Sequence, residues 1–107
     1  MEEIKILYKP IVEEYINELI YILYEQEYFG FLEDAISYKD AIIDFIENNI
    51  AVLPAKFTPF ILRKLGKQYI FYKANQRTTW FIFFEKKDNI YLITFITNNH
   101  SEIIKHL

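Results

Sequence analysis

The chain contains no cysteine, which excludes disulfides, thiolate metal sites and a cysteine nucleophile. It holds two Gly and three Pro in 107 residues, too few for a flexible linker or a low-complexity segment. Long hydrophobic runs are also missing. The apolar run nearest the start, Leu19 to Tyr24, is far short of the roughly 20 residues that span a bilayer. The start, Met1-Glu2-Glu3, is acidic, whereas a secretory signal needs a basic start and an apolar stretch. The expectation is therefore a cytoplasmic domain with no membrane segment. No P-loop, dinucleotide fingerprint or His/Asp/Glu metal signature occurs, and no Ser/His/Asp triad can be argued from spacing, so neither a cofactor nor a metal is expected.

Apolar residues make up 52% of the chain and aromatics 19%, with ten Phe and nine Tyr. Disordered chains are poor in aromatics, so one folded domain covering residues 1–107 is expected. Net charge is −3, which by itself indicates nothing. Its distribution is uneven. Residues 1–55 carry twelve Asp/Glu and three Lys, whereas residues 56–87 carry eight Lys/Arg and one Glu. Such a split can create a local positive potential that the net charge hides. It reads either as a solvated charged surface or as a basic face for a polyanion.

Ile4 to Tyr8 reads as a short strand. Pro10 suits the first position of a helix, where its missing N–H is not needed, and Glu13 and Glu14 suit the first turn. Val12, Ile16, Leu19, Ile20 and Leu23 form an apolar stripe at helical spacing, and Gly30 is expected as the left-handed cap after Phe29. A second helix lies within Leu32 to Asn49, with Ser37 and Asp40 either capping it or lying inside it. Pro54 and Pro59 stop it from continuing. The period then changes. Gln68 to Ala74, Thr79 to Glu85 and Ile90 to Thr97 read as strands, joined by Asn75-Gln76-Arg77-Thr78 and by Lys86-Lys87-Asp88-Asn89. Ser101 to Leu107 reads as a brief terminal helix. The expected fold is α+β, with an N-terminal strand and a helical hairpin packed on a small antiparallel sheet.

Three segments in the last third stand out: Tyr69-Ile70-Phe71-Tyr72-Lys73, Arg77-Thr78-Thr79-Trp80-Phe81-Ile82-Phe83-Phe84, and Tyr91 to His100 with its Asn98-Asn99-His100 ending. In element order and in these segments the chain resembles toxins of the RelE/ParE superfamily. The resemblance implies a type II toxin held inactive by a cognate antitoxin. It implies either metal-independent mRNA cleavage on the ribosome or non-catalytic binding of DNA gyrase, with an inactive relative as a third form. Where RelE nucleases carry a strand Arg, Trp80-Phe81-Ile82-Phe83 holds no basic residue.

Cleavage of RNA through its 2′-hydroxyl needs a base, an acid and cations for the phosphate. His is the side chain best suited to proton transfer near neutral pH. His100 follows the last strand, where the resemblance implies a catalytic His. Otherwise it is a surface His at a strand end. His106, next to the C-terminus, is given no role. Arg77 opens the Trp80 strand and can grip a phosphate bidentately, or else pairs with a surface carboxylate. Lys73 lies across the turn from it. Arg63, Lys64 and Lys67 form a second basic group that could track a phosphate backbone. Tyr72 could stack a base or pack in the core, whereas Trp80 is expected in the core. Glu85 is expected in a surface ion pair with a neighbouring lysine.

Overall fold

A computed structural model of the chain describes residues 3–25 and 32–107. Strand β1 (Lys5–Tyr8) leads into helices α1 (Pro10–Glu25) and α2 (Leu32–Asn49). Strand β2 (Lys56–Phe57) and a 3₁₀ segment (Phe60–Leu65) follow. Strands β3 (Gln68–Lys73), β4 (Thr79–Lys87) and β5 (Ile90–Asn98) come next, and a second 3₁₀ segment (Glu102–His106) ends the chain. The fold is α+β, as expected. The place of the Gly30 cap lies outside the described residues.

The sheet order is β1-β5-β4-β3-β2. Four strands pair antiparallel through β2–β3, β3–β4 and β4–β5, but β1 runs parallel to β5, with Lys5 beside Ile90 and Tyr8 beside Ile93. The sheet is therefore mixed, which corrects the antiparallel expectation. Parallel neighbours need a long crossover, and the whole of the chain from α1 to β4 lies between these two. A second correction concerns the last hairpin. Lys86 and Lys87 pair with Tyr91 and Ile90 as part of the ladder, leaving only Asp88 and Asn89 in the turn. Asp88 has φ 56°, the left-handed conformation that a two-residue hairpin loop requires.

The helices cover one face of the sheet. Val12, Ile16 and Leu19 of α1, with Ile42 and Ile46 of α2, are buried against Ile70, Trp80, Ile82, Phe84, Tyr91, Ile93 and Ile96. Lys9 carbonyl accepts from the N–H groups of Val12 and Glu13 at the start of α1. Ser37 and Asp40 lie inside α2. Strand parity accounts for Trp80, Ile82 and Phe84. On β5 the parity changes, because Phe83 pairs with Phe95 and Phe84 with Ile93, so Thr94 is an extra residue. This bulge lets Tyr91, Ile93 and Ile96 all face the helices.

The two 3₁₀ segments pack on the other face. There Tyr69, Phe83 and Ile104 form a smaller cluster with Leu65, Phe81 and Phe95. The Thr94 hydroxyl donates to the Leu65 carbonyl, tying the first 3₁₀ segment to the bulge. Gly66 makes the close approach possible. A Cβ there would lie 2.5 Å from Thr94 Oγ1 and 3.0 Å from both Phe83 Cβ and Phe84 N. Among the described residues, no helix is long and apolar enough to cross a membrane.

Candidate nucleic-acid interface at the open end of the sheet

At the end of the sheet from which the second 3₁₀ segment departs, the turn Ala74 to Thr78 meets the segment Asn98 to His100. Asn75 Oδ1 accepts the backbone N–H groups of Arg77 (2.8 Å) and Thr78 (2.9 Å), an Asx-type closure that holds the turn. Ala74 N–H donates to Thr78 carbonyl at 3.0 Å. Asn99 then clamps the turn to β5. Its Oδ1 accepts from Thr79 N–H at 2.9 Å and its amide donates to Arg77 carbonyl at 3.0 Å. Its own backbone N–H donates to Thr79 carbonyl at 3.0 Å.

The next residue, His100, is exposed, and its backbone N–H donates to Asn98 Oδ1 at 2.9 Å. Its Nε2 lies 3.3 Å from Thr78 Oγ1, with the donor set by the imidazole tautomer. Nδ1 has no partner among the described residues. The imidazole is thus attached on one side and open on the other. The two asparagines explain why Asn-Asn-His is a unit: Asn98 and Asn99 fix the backbone on which His100 stands.

Of the residues singled out in the sequence, His100, Arg77 and Lys73 stand at this same end of the sheet. Arg77 is exposed one residue before Thr78, and Lys73, also exposed, pairs with Thr79 across the β3–β4 ladder. Arg63, Lys64 and Lys67 are not brought to this end. They precede β3, whose length separates Lys67 from Lys73 by roughly 17 Å or more. Arg63 donates to Thr58 carbonyl at 3.1 Å and lies over the Phe60 ring. Lys67 lies 3.9 Å from Glu85, so that acid has a surface partner, but it is Lys67 and not Lys86 or Lys87, its neighbours in the sequence.

Tyr72 faces the helices. Its ring stacks on Phe45 of α2 with centroids 4.6 Å apart, so it does not stand on the face that carries Phe71 and Lys73. Trp80 is in the core, 2% exposed. The aromatic on the open face is Phe71, 47% exposed, with its ring 6.3 Å from that of Phe81. Sequence reasoning missed it. The signal was present in the parity, since a buried Trp80 turns Phe81 outward and the short turn pairs Phe81 with Phe71.

Among the described residues, no three His, Asp or Glu side chains converge as a metal site would require. The arrangement consists of an open imidazole, two cations and an exposed phenyl ring on one end of a sheet. It can hold a phosphate, stack a base and move a proton. Comparison with family models, curated proteins and solved structures finds no match to this chain.

Proposed function

We propose that the chain binds single-stranded RNA across the open end of the sheet and cleaves it, with His100 transferring a proton. The observation that carries this reading is the hydrogen-bonded junction of Arg77-Thr78 with Asn98-Asn99-His100. In it a ring nitrogen with no partner among the described residues lies at the same end of the sheet as two exposed cationic residues, which supports the reading. The reaction is a transesterification. The RNA 2′-hydroxyl loses its proton to a base and its oxygen attacks the adjacent phosphorus. The bond from phosphorus to the 5′-oxygen breaks, and that oxygen takes up a proton. The products are a 2′,3′-cyclic phosphate and a 5′-hydroxyl.

His100 serves as acid or base in this scheme. Arg77 and Lys73 hold the phosphate and offset the charge that develops on it. Phe71 supplies the flat apolar surface on which an unpaired base stacks. No strand Arg is available in β4, so the turn and the end of β3 supply the cations. On this reading the chain is the toxin of a toxin–antitoxin pair, as its resemblance to RelE/ParE toxins implies, and mRNA on the ribosome is the substrate.

The test is addition of the purified chain to a translation extract, with mRNA ends mapped and DNA supercoiling by gyrase assayed in parallel. Cleavage leaving cyclic phosphate and 5′-hydroxyl ends is expected. Inhibition of supercoiling with intact mRNA would overturn the reading in favour of a gyrase-binding protein.

A further inference from the structure

We propose that the segment from Lys56 to Lys67 docks the chain on an anionic lipid bilayer, lying on the membrane surface rather than crossing it. The proposal is independent of RNA cleavage, which uses none of the side chains in this segment.

The first observation is what the segment exposes. It comprises β2, the first 3₁₀ segment and the residues between and beside them. Its exposed residues are the apolar Phe57, Phe60 and Ile61 and the cationic Lys56, Arg63, Lys64 and Lys67, whereas Thr58, Leu62 and Gly66 are buried. Phe60 is 86% exposed and Phe57 80%, and Val52, a few residues earlier, is 73% exposed. These are the most exposed large apolar side chains among the described residues. A single exposed apolar residue is ordinary, but a cluster marks an interaction surface. Phe57 and Ile61 are separated by at most about 14 Å of chain, so the apolar groups meet one surface together.

The second observation is charge. No Asp or Glu occurs from Asn48 to Phe84. Glu85 lies 3.9 Å from Lys67, but Lys56, Arg63 and Lys64 make no ion pair among the described residues. Arg63 lies over the Phe60 ring, 5.9 Å from its centre, so charge and apolar surface occupy the same spot. The third observation is the backbone. Thr58 N–H donates to Lys67 carbonyl, Leu62 N–H to Pro59 carbonyl and Gly66 N–H to Arg63 carbonyl. The segment is thus closed on itself at these positions.

Together these select the occupant. The exposed side chains of the segment are donors or apolar groups, with no hydrogen-bond acceptor among them. A peptide or a base edge presents donors that would go unmatched. A nucleic-acid backbone would match the cations but would leave Ile61 and Val52 in water, and a base needs an open ring face on which to stack. A second copy would set cation against cation. An anionic bilayer presents phosphate acceptors above an apolar layer, which matches both classes of side chain without a directional partner.

The test uses the whole chain with vesicles of phosphatidylcholine alone and of phosphatidylcholine mixed with phosphatidylglycerol, separated by flotation. The chain should float with the anionic vesicles and not with the neutral ones, and added salt should release it. Lys64→Gln should weaken the partition roughly fivefold. Phe60→Ser combined with Ile61→Ser, both at exposed positions, should weaken it roughly tenfold or more, with the circular dichroism spectrum unchanged. Phe60→Trp adds an indole at the surface, and phospholipid brominated on its acyl chains should quench that added emission. No flotation with anionic vesicles at low salt would overturn the proposal. So would flotation without quenching, which would mean adsorption by charge alone. Loss of oligouridylate binding in the double variant with unchanged flotation would also overturn it, and would assign the surface to nucleic acid.

Discussion

The Trp80 indole N–H donates to the Tyr38 hydroxyl across 2.7 Å, joining the centre of the sheet to α2 over 42 residues of sequence. The same indole is met edge-on by the Tyr15 ring of α1 at 6.4 Å and by the Tyr38 ring at 6.3 Å. One side chain of β4 thus fixes both helices on the sheet. Because Trp80 opens the strand that begins at the turn bearing Arg77, the helical half also supports the candidate site from behind.

Tyr38→Phe would leave the buried indole N–H without this acceptor. An unsatisfied buried donor costs about 1–3 kcal/mol. Urea denaturation should show a loss in that range with the fold retained. An unchanged midpoint would show that the bond carries no net stability.

The phenols of the helical face predict an alkaline limit. Burial, and then the nearby Glu47 charge, push the Tyr8 hydroxyl up to about 12. Burial also raises Tyr15 and Tyr38 above the ordinary value. The folded chain therefore keeps phenolic protons that the unfolded chain loses near pH 10. Stability from this source is complete below about pH 10 and declines as pH rises from 10 to about 12. The buried Tyr8 hydroxyl has no hydrogen-bond partner among the described residues, so Tyr8→Phe should raise stability by about 1 kcal/mol at neutral pH and flatten the decline. Urea midpoints measured from pH 8 to 12 check both statements, and a flat profile for the unaltered chain would contradict them.

Gly66→Ala should be destabilising by about 1–3 kcal/mol through overpacking. The backbone there is extended, at φ 161°, so the cost is steric contact with Thr94, Phe83 and Phe84. Adding Thr94→Ala removes only the closest contact and should recover part of the loss. Thermal melts of the two variants decide this. A melting point for Gly66→Ala equal to that of the unaltered chain would show that the bulge can yield.

The helical stripes were legible in the sequence because Val12, Ile16, Leu19, Ile42 and Ile46 repeat at helical spacing, and they are the residues that the core uses. The three long strands were legible from dense β-formers between polar turns. The direction of β1 was not, since a short apolar strand carries no record of whether its neighbour is parallel. β2 has two residues, below any periodic signal. The bulge at Thr94 was hidden for a related reason: in Ile90-Tyr91-Leu92-Ile93-Thr94-Phe95-Ile96 every residue but Thr94 is apolar, so the parity change leaves no mark. Of the candidate site, His100, Arg77 and Lys73 could be named from sequence. Their meeting depends on Asn75, Asn98 and Asn99, whose amide hydrogen bonds no spacing rule announces.

Phe71→Ala should weaken binding of oligouridylate by about 1–3 kcal/mol, the contribution of one stacked base. Tyr72→Phe keeps the stack on Phe45 and should leave RNA affinity unchanged. Fluorescence anisotropy with labelled oligonucleotide measures both. Equal losses in the two variants would place the RNA elsewhere.

The most direct measurement is single-turnover cleavage of mRNA on ribosomes by the unaltered chain and by His100→Ala, with circular dichroism to confirm the fold. His100 is exposed beyond β5, so its removal takes nothing from the core. The account predicts that cleavage slows by about 10²–10⁴-fold, the usual range for loss of a general acid or base, while the spectrum stays the same. Cleavage by His100→Ala at the unaltered rate would contradict it.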